Sequence, residues 1–152
     1  MSEHDNGEKH HVLVVANETI EGVELVDAIG LGADAKATEV LVVAPALNSR
    51  LRHWVSDEDR ARREAALRLG AYLRELGRHG IEANGWVGDA DPLLSITDTL
   101  HRFSVDEIVI ATDSDRSSNW LARNVVNRAR RLFPQPIHHV VAGRSPPDLA
   151  AA

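Results

Sequence analysis

Apolar residues along this chain fall into short, uninterrupted runs separated by more polar segments. Four runs rich in valine and isoleucine predict strands buried on both faces, because such strands carry apolar side chains at nearly every position. These runs are His11–Asn17, Glu39–Pro45, Val105–Thr112 and Pro136–Ala142, and the weaker, alternating segment Ile81–Gly88 predicts a further strand.

Between the strands, apolar residues recur every three or four positions, which predicts amphipathic helices. The predicted helices are Glu21–Leu31, a long helix from Ser56 that Gly77 and Gly80 close, a helix from Asp91 to Phe103, and Asn119–Phe133. Two of them carry start signals. Ser56 and Asp59 form a capping box, and Asp91 before Pro92 supplies an N-cap followed by a first-turn proline.

Alternating strands and helices are typical of an α/β domain whose parallel sheet is covered by helices on both faces. A chain of 152 residues suits one hydrophobic core. We therefore expect a single domain over residues 11–143, with a disordered leader at 1–10 and a flexible tail at 144–152.

Charge, composition and the length of the apolar runs argue against several classes of function. The net charge of −6 argues against sequence-independent nucleic-acid binding, which needs a basic surface. The absence of cysteine excludes disulfides and thiolate metal sites. No apolar run approaches the roughly 20 residues that span a bilayer, and the polar N-terminus does not resemble a signal peptide. We expect a cytoplasmic protein that binds neither membranes nor nucleic acids.

Ligands of open parallel sheets bind beyond the carboxyl ends of the strands, near the point where strand order reverses. The candidate loops therefore follow the first, second and fourth strands. They contain Ala16–Thr19, Pro45–Ala46 and Ala111–Arg123.

Four segments resemble the universal stress protein family in order and spacing. Val12–Thr19 (VLVVANET) resembles its first strand and turn, and Gly88–Pro92 (GDADP) its Gly-Asp-Pro segment. Val105–Thr112 (VDEIVIAT) resembles its fourth strand, and Pro136–Val141 (PIHHVV) its fifth. The resemblance implies a doubly wound sheet of strand order 3-2-1-4-5, the adenine nucleotide alpha hydrolase-like fold.

The resemblance also implies where a nucleotide would bind. Family members that bind ATP carry G-x2-G-x9-G-[ST] after strand four, so that backbone N–H groups can close on the phosphates. Here the four positions hold Ala111, Ser114, Asn124 and Val125. The acid that usually follows strand one is replaced by Asn17, whereas the hydroxyl two residues later is retained as Thr19.

These replacements disfavour ATP. A Cβ at a glycine position of positive φ costs ~1 kcal/mol or more. Asp113 and Asp115 add negative charge near the expected triphosphate, although a shared magnesium ion or Arg116, Arg123 and Arg128 would offset it. The candidate ligand residues are Ala16, Asn17, Thr19, Pro45, Ala111, Thr112, Ser114, Arg116, Arg123, Asn124 and Val125.

Three functional hypotheses follow. The first is a non-catalytic regulatory or binding domain in which ATP is disfavoured and the ligand is unknown. The second is a nucleotide-binding protein or slow ATPase that uses the altered loop. The third is a structural, partner-binding domain whose pocket is filled by side chains such as Trp54 or Trp120.

Local alternatives exist for the polar residues. The polar segment 113–119 is either a remodelled anion pocket or a solvated loop in which Ser118 or Asn119 caps the last helix. Asp89 and Asp91 are candidate acids or metal ligands, but Asp91 before Pro92 is better explained as a cap. Adjacent residues of a strand point to opposite faces, so His138 and His139 do not share a metal. We assign no catalytic residue and no metal ligand.

The fifth strand is an apolar edge, and such edges need covering. Members of the family often pair through this strand. We therefore expect a homodimer whose candidate contact residues are Pro136, Ile137, His138, His139, Val140 and Val141.

Overall fold

A computed structural model describes residues 10–16, 38–46, 56–112 and 116–141, with backbone alone at 56–58, 116–123 and 141. The predicted helix at Glu21–Leu31 and the residues 47–55 and 113–115, for which the sequence predicts loops, lie outside these residues. So do 1–9 and 142–152, which include most of the predicted leader and all of the predicted tail.

Five parallel strands form one sheet in the order β3-β2-β1-β4-β5. The strands are β1 (His10–Ala16), β2 (Thr38–Pro45), β3 (Glu82–Gly88), β4 (Glu107–Thr112) and β5 (Ile137–Val141). The helices that the structure describes are α1 (Ser56–Arg78), α2 (Pro92–Arg102) and α3 (Arg116–Leu132). The predicted fold class and strand order are confirmed.

Two predicted boundaries are corrected. Strand β1 begins at His10, so the last residue of the predicted leader belongs to the sheet. Helix α3 begins at Arg116 rather than at Asn119, and Ser118 and Asn119 therefore lie inside it and do not cap it. Polarity favoured a loop there, but arginine and serine are also tolerated in the first turn of a helix.

Strands β1, β2 and β4 bury both faces, as their continuous apolar runs predict. On the face toward α1, the alternate residues of β1, β2 and β4 belong to one buried cluster with residues of that helix; they include Val12, Val14, Val40, Val42 and Val109, all 0% exposed. The intervening residues face α2 and α3; they include Leu13, Val15, Val43, Ile108 and Ile110, also 0% exposed. We call these the α1 face and the α2/α3 face.

The end of α1 is fixed by a backbone motif centred on Gly80. The N–H of Gly80 bonds to the carbonyl of Gly77, and the N–H of Ile81 bonds to the carbonyl of Leu76, each at 3.0 Å. Gly80 has φ of 74°, a left-handed conformation that glycine adopts without a Cβ clash. This cap connects α1 to β3, and the residues on either side of it, Leu76 and Ile81, are both buried.

Close packing of α1 on the sheet depends on Gly85 in β3. A Cβ there would stand 2.5 Å from the carbonyl oxygen of Val42 and 2.5 Å from Cδ1 of Leu69. The sheet and helix therefore approach more closely than any larger residue permits.

Candidate functional site

The carboxyl ends of β1, β2 and β4 lie side by side at one edge of the sheet. Strand β1 lies between β2 and β4, and Ala16 of β1 is aligned with Ala111 of β4. Ala16, Pro45, Ala111 and Thr112 are all buried. This edge is where strand order reverses, which is the usual ligand position in such sheets.

A guanidinium group spans this edge. Arg68 of α1 donates from Nε to the carbonyl oxygen of Ala16 at 2.8 Å and from Nη2 to that of Pro45 at 2.7 Å. The two acceptors are the last carbonyls of β1 and β2. Since the arginine fork holds its donors in fixed relative positions, one side chain ties two strand ends together.

Arg68 reaches the edge because it lies on the buried side of α1. It stands three residues after Ala65 and four before Tyr72, and both are almost fully buried. The half-buried Arg68 therefore places its aliphatic stem along the core and its charged head at the strand ends.

Sequence reasoning missed Arg68. The available signal was an arginine within an apolar stripe of period 3.6. That position predicts a side chain directed to the sheet rather than to solvent.

Thr112 is held by the neighbouring strand. Its hydroxyl lies 2.7 Å from Nε2 of His139 in β5, and Thr112 is 1% exposed. This side-chain pair joins the end of β4 to β5 on the α2/α3 face.

The two aspartates after β3 form the start of α2. Asp91 accepts a bond from the N–H of Leu93 at 3.0 Å through its side chain, which confirms its role as N-cap. Asp89 accepts a side-chain bond from the N–H of Asp91 at 2.9 Å. The Ser95 hydroxyl donates to the Asp89 carbonyl at 3.0 Å. These contacts account for both aspartates without a ligand.

His138 and His139 project to opposite faces, as predicted from their adjacency. His138 lies 2.9 Å from a carboxylate oxygen of Glu107, whose other oxygen contacts His10. His139 instead contacts Thr112 on the α2/α3 face. Within the described residues, no group of three histidine, aspartate or glutamate side chains is arranged to hold a metal ion.

In the described part of the chain, two cavities are lined by residues other than Arg68 and its two acceptors. One of about 310 Å³ lies beyond the end of β3, between Arg62 of α1 and Arg102 of α2, and also contains Asp89 and Asp98. The other, of about 390 Å³, lies on the α2/α3 face near the amino ends of β1 and β2 and is largely apolar.

Comparison with solved structures identifies a similar protein. A universal stress protein from Archaeoglobus fulgidus superposes with a TM-score of 0.60, covering 92% of this chain and 99% of that chain. The chain therefore has the fold of a universal stress protein. The two sequences are 16% identical, a level that shows the fold alone. No protein-family profile and no curated protein sequence matches this chain.

Two further predicted ligand residues lie within a helix rather than at its start. Asn124 and Val125 lie in the third turn of α3, where backbone N–H groups bond to carbonyls one turn earlier. Asn124 is exposed, and Val125 packs against the core of the α2/α3 face. Neither residue therefore stands at a helix N-terminus, where phosphates bind.

The structure brings together Ala16, Pro45, Ala111 and Thr112 of the predicted ligand residues. Asn17, Thr19 and Ser114 fall outside the described residues, as do Trp54 and the side chain of Trp120. Arg116 and Arg123 belong to α3, but their side chains also lie outside the description. None of the helices in the described part of the chain is long and apolar enough to cross a membrane.

Proposed function

We propose that this chain is a non-catalytic binding or regulatory domain with a universal stress protein fold, and that ATP is not its ligand. The observation that carries this proposal is the Arg68 guanidinium, bonded to the terminal carbonyls of β1 and β2. It occupies the edge at which a nucleotide would approach the sheet.

A nucleotide that needed this edge would have to displace Arg68 from both carbonyls. Hydrogen bonds to a charged group contribute roughly 1.5–3 kcal/mol each, and the half-buried position favours the lower end. Losing two such bonds costs about 3 kcal/mol, which weakens binding by roughly 150-fold. The positive charge of Arg68 attracts phosphate, but a phosphate bound to the displaced guanidinium leaves the Ala16 and Pro45 carbonyls without their donors.

The chemistry after β4 supports the same proposal. A phosphate site needs free backbone N–H groups, whereas those of Asn124 and Val125 are used within α3. Ala111 is fully buried, and the Thr112 hydroxyl is paired with His139. The described residues at this edge therefore offer hydrogen bonds to one another rather than to a triphosphate.

Titration calorimetry with ATP and magnesium tests the proposal. We expect no saturable heat and no thermal shift at millimolar ligand, and no release of phosphate. Arg68→Ala is the informative variant, because it removes the guanidinium from the edge. Micromolar binding by the wild-type chain, or hydrolysis above the uncatalysed rate, would show that the nucleotide hypothesis is correct and this one is wrong.

We also propose that two copies of the chain pair through β5. This strand lies at the edge of the sheet, and edge strands present unpaired N–H and C=O groups. His138 and Pro136 are exposed there, and Val140 is half-buried. Light scattering should give twice the 16.6 kDa mass of one chain. A monomer at micromolar concentration would contradict the pairing, and a charge introduced by Val140→Glu should dissociate the dimer.

A further inference from the structure

The cavity of about 390 Å³ on the α2/α3 face lies at the opposite end of the strands from Arg68. Its floor is built from three neighbouring strands. His11 is aligned with Glu39, and Leu41 is aligned with Asn84. Phe103, the residue that ends α2, closes one side. Its volume falls within the range of cavities that hold small organic molecules.

One wall of this cavity is aromatic. Trp86 of β3 stacks on Phe103 with ring centroids 5.4 Å apart and an angle of 26° between the rings. Phe103 remains 43% exposed, although it is a large apolar side chain. With Leu41, the two rings provide an apolar surface suited to a flat, apolar molecule.

The other end of the cavity is acidic. Glu39 is 26% exposed, and its Oε1 lies 3.0 Å from Nε2 of His11. Its second oxygen, Oε2, accepts no hydrogen bond from the described residues. Asp106 lies just beyond His11 and accepts a bond from its backbone N–H at 2.8 Å. None of the described residues that line the cavity is a lysine or an arginine.

The charges around the cavity favour a cationic ligand over an anionic one. A phosphate or carboxylate placed here would face the carboxylate of Glu39. Among the described lining residues only His11 can carry a positive charge, and its Nε2 is already paired with Oε1 of Glu39. Burying an unpaired anion is costly. An ammonium group would find a partly desolvated carboxylate whose Oε2 accepts no hydrogen bond from the described part of the chain. An attached aromatic body would cover Leu41 and the exposed ring of Phe103, and aromatic faces also attract cations.

We infer that this cavity binds a small aromatic amine, with its ammonium group on Glu39 and its ring against Trp86 and Phe103. The site is separate from the carboxyl edge of the sheet. The inference of an amine site therefore does not depend on the proposal that ATP is not a ligand.

The test compares two probes of nearly equal shape and opposite charge, tryptamine and indole-3-propionate. Amide chemical shifts in ¹H–¹⁵N spectra report where each one binds. We expect saturable shifts at His11, Glu39 and Phe103 with tryptamine, and none with the propionate. Binding of both probes alike, or of neither at millimolar concentration, would overturn the inference.

Two variants assign the binding to the carboxylate. Glu39→Gln keeps the size of the side chain, removes its charge and should weaken tryptamine binding by about three- to tenfold. Glu64→Gln makes the same change on the exposed surface of α1 and should leave the affinity unchanged. A thermal melt of each variant establishes that it is folded. Equal affinities of a folded Glu39→Gln variant and the wild type would contradict the assignment.

Discussion

Replacing Arg68 with methionine should destabilise the protein substantially. Methionine retains much of the aliphatic stem that runs along the core, but it donates no hydrogen bond. The terminal carbonyls of β1 and β2 then lose donors at 2.8 and 2.7 Å. Both acceptor residues, Ala16 and Pro45, are buried, so water replaces the guanidinium incompletely.

The expected loss follows from the two bonds. At about 1.5 kcal/mol for each bond to a charged donor, Arg68→Met lowers the free energy of unfolding by about 3 kcal/mol. Small domains have only about 5–15 kcal/mol in total, so this is a large fraction. Arg68→Lys keeps one donor but cannot span both carbonyls, and should lose about half as much.

Urea denaturation followed by circular dichroism measures the effect. With a slope of roughly 1–3 kcal/mol per molar urea, the midpoint should fall by about 1–3 M without a change in slope. Arg63→Met is the matched control, since Arg63 is exposed on the same helix, and its change should stay within about 0.5 kcal/mol. Equal stability of Arg68→Met and this control would refute the claim that the guanidinium joins the strand ends.

Two further predictions concern how helices join the sheet. Gly85→Ala should destabilise the protein by about 1–3 kcal/mol, because the added Cβ meets the backbone of β2. A Cβ added at Gly77 has no atom within 4 Å, so Gly77→Ala should leave the melting temperature unchanged or raise it. A melting temperature for Gly85→Ala at or above that of Gly77→Ala would contradict the packing. Asp91→Ala removes the N-cap and should lower the stability of the protein by about 1 kcal/mol and speed amide exchange at the start of α2. The control Asp98→Ala changes an exposed position in the same helix and should have neither effect. Equal exchange in the two variants would argue against the cap.

Much of the fold could be predicted because the strands are buried on both faces. A run such as His11–Asn17 has few alternatives to a central strand, and the observed β1 begins one residue earlier, at His10. The Asp91 cap was also predictable, since it depends only on adjacent residues. The start of α3 was not, because a polar first helical turn and a polar loop have similar compositions.

Only the part of the candidate site that lies at the ends of strands could be predicted from the sequence. Ala16, Pro45, Ala111 and Thr112 meet because parallel strands finish at the same edge. Arg68 lies in α1, 23 residues after Pro45, and its place depends on how α1 is rotated on the sheet. That rotation is a tertiary property, and an apolar stripe containing an arginine is its only trace in the sequence.

The central claim is that Arg68, rather than a nucleotide, occupies the carboxyl edge of the sheet. A crystal structure of the protein grown in millimolar ATP and magnesium tests this most directly. We predict the guanidinium within hydrogen-bond distance of the Ala16 and Pro45 carbonyls, with no nucleotide density beyond β1 and β4. A triphosphate bound at that edge, with Arg68 turned away from both carbonyls, would contradict the claim.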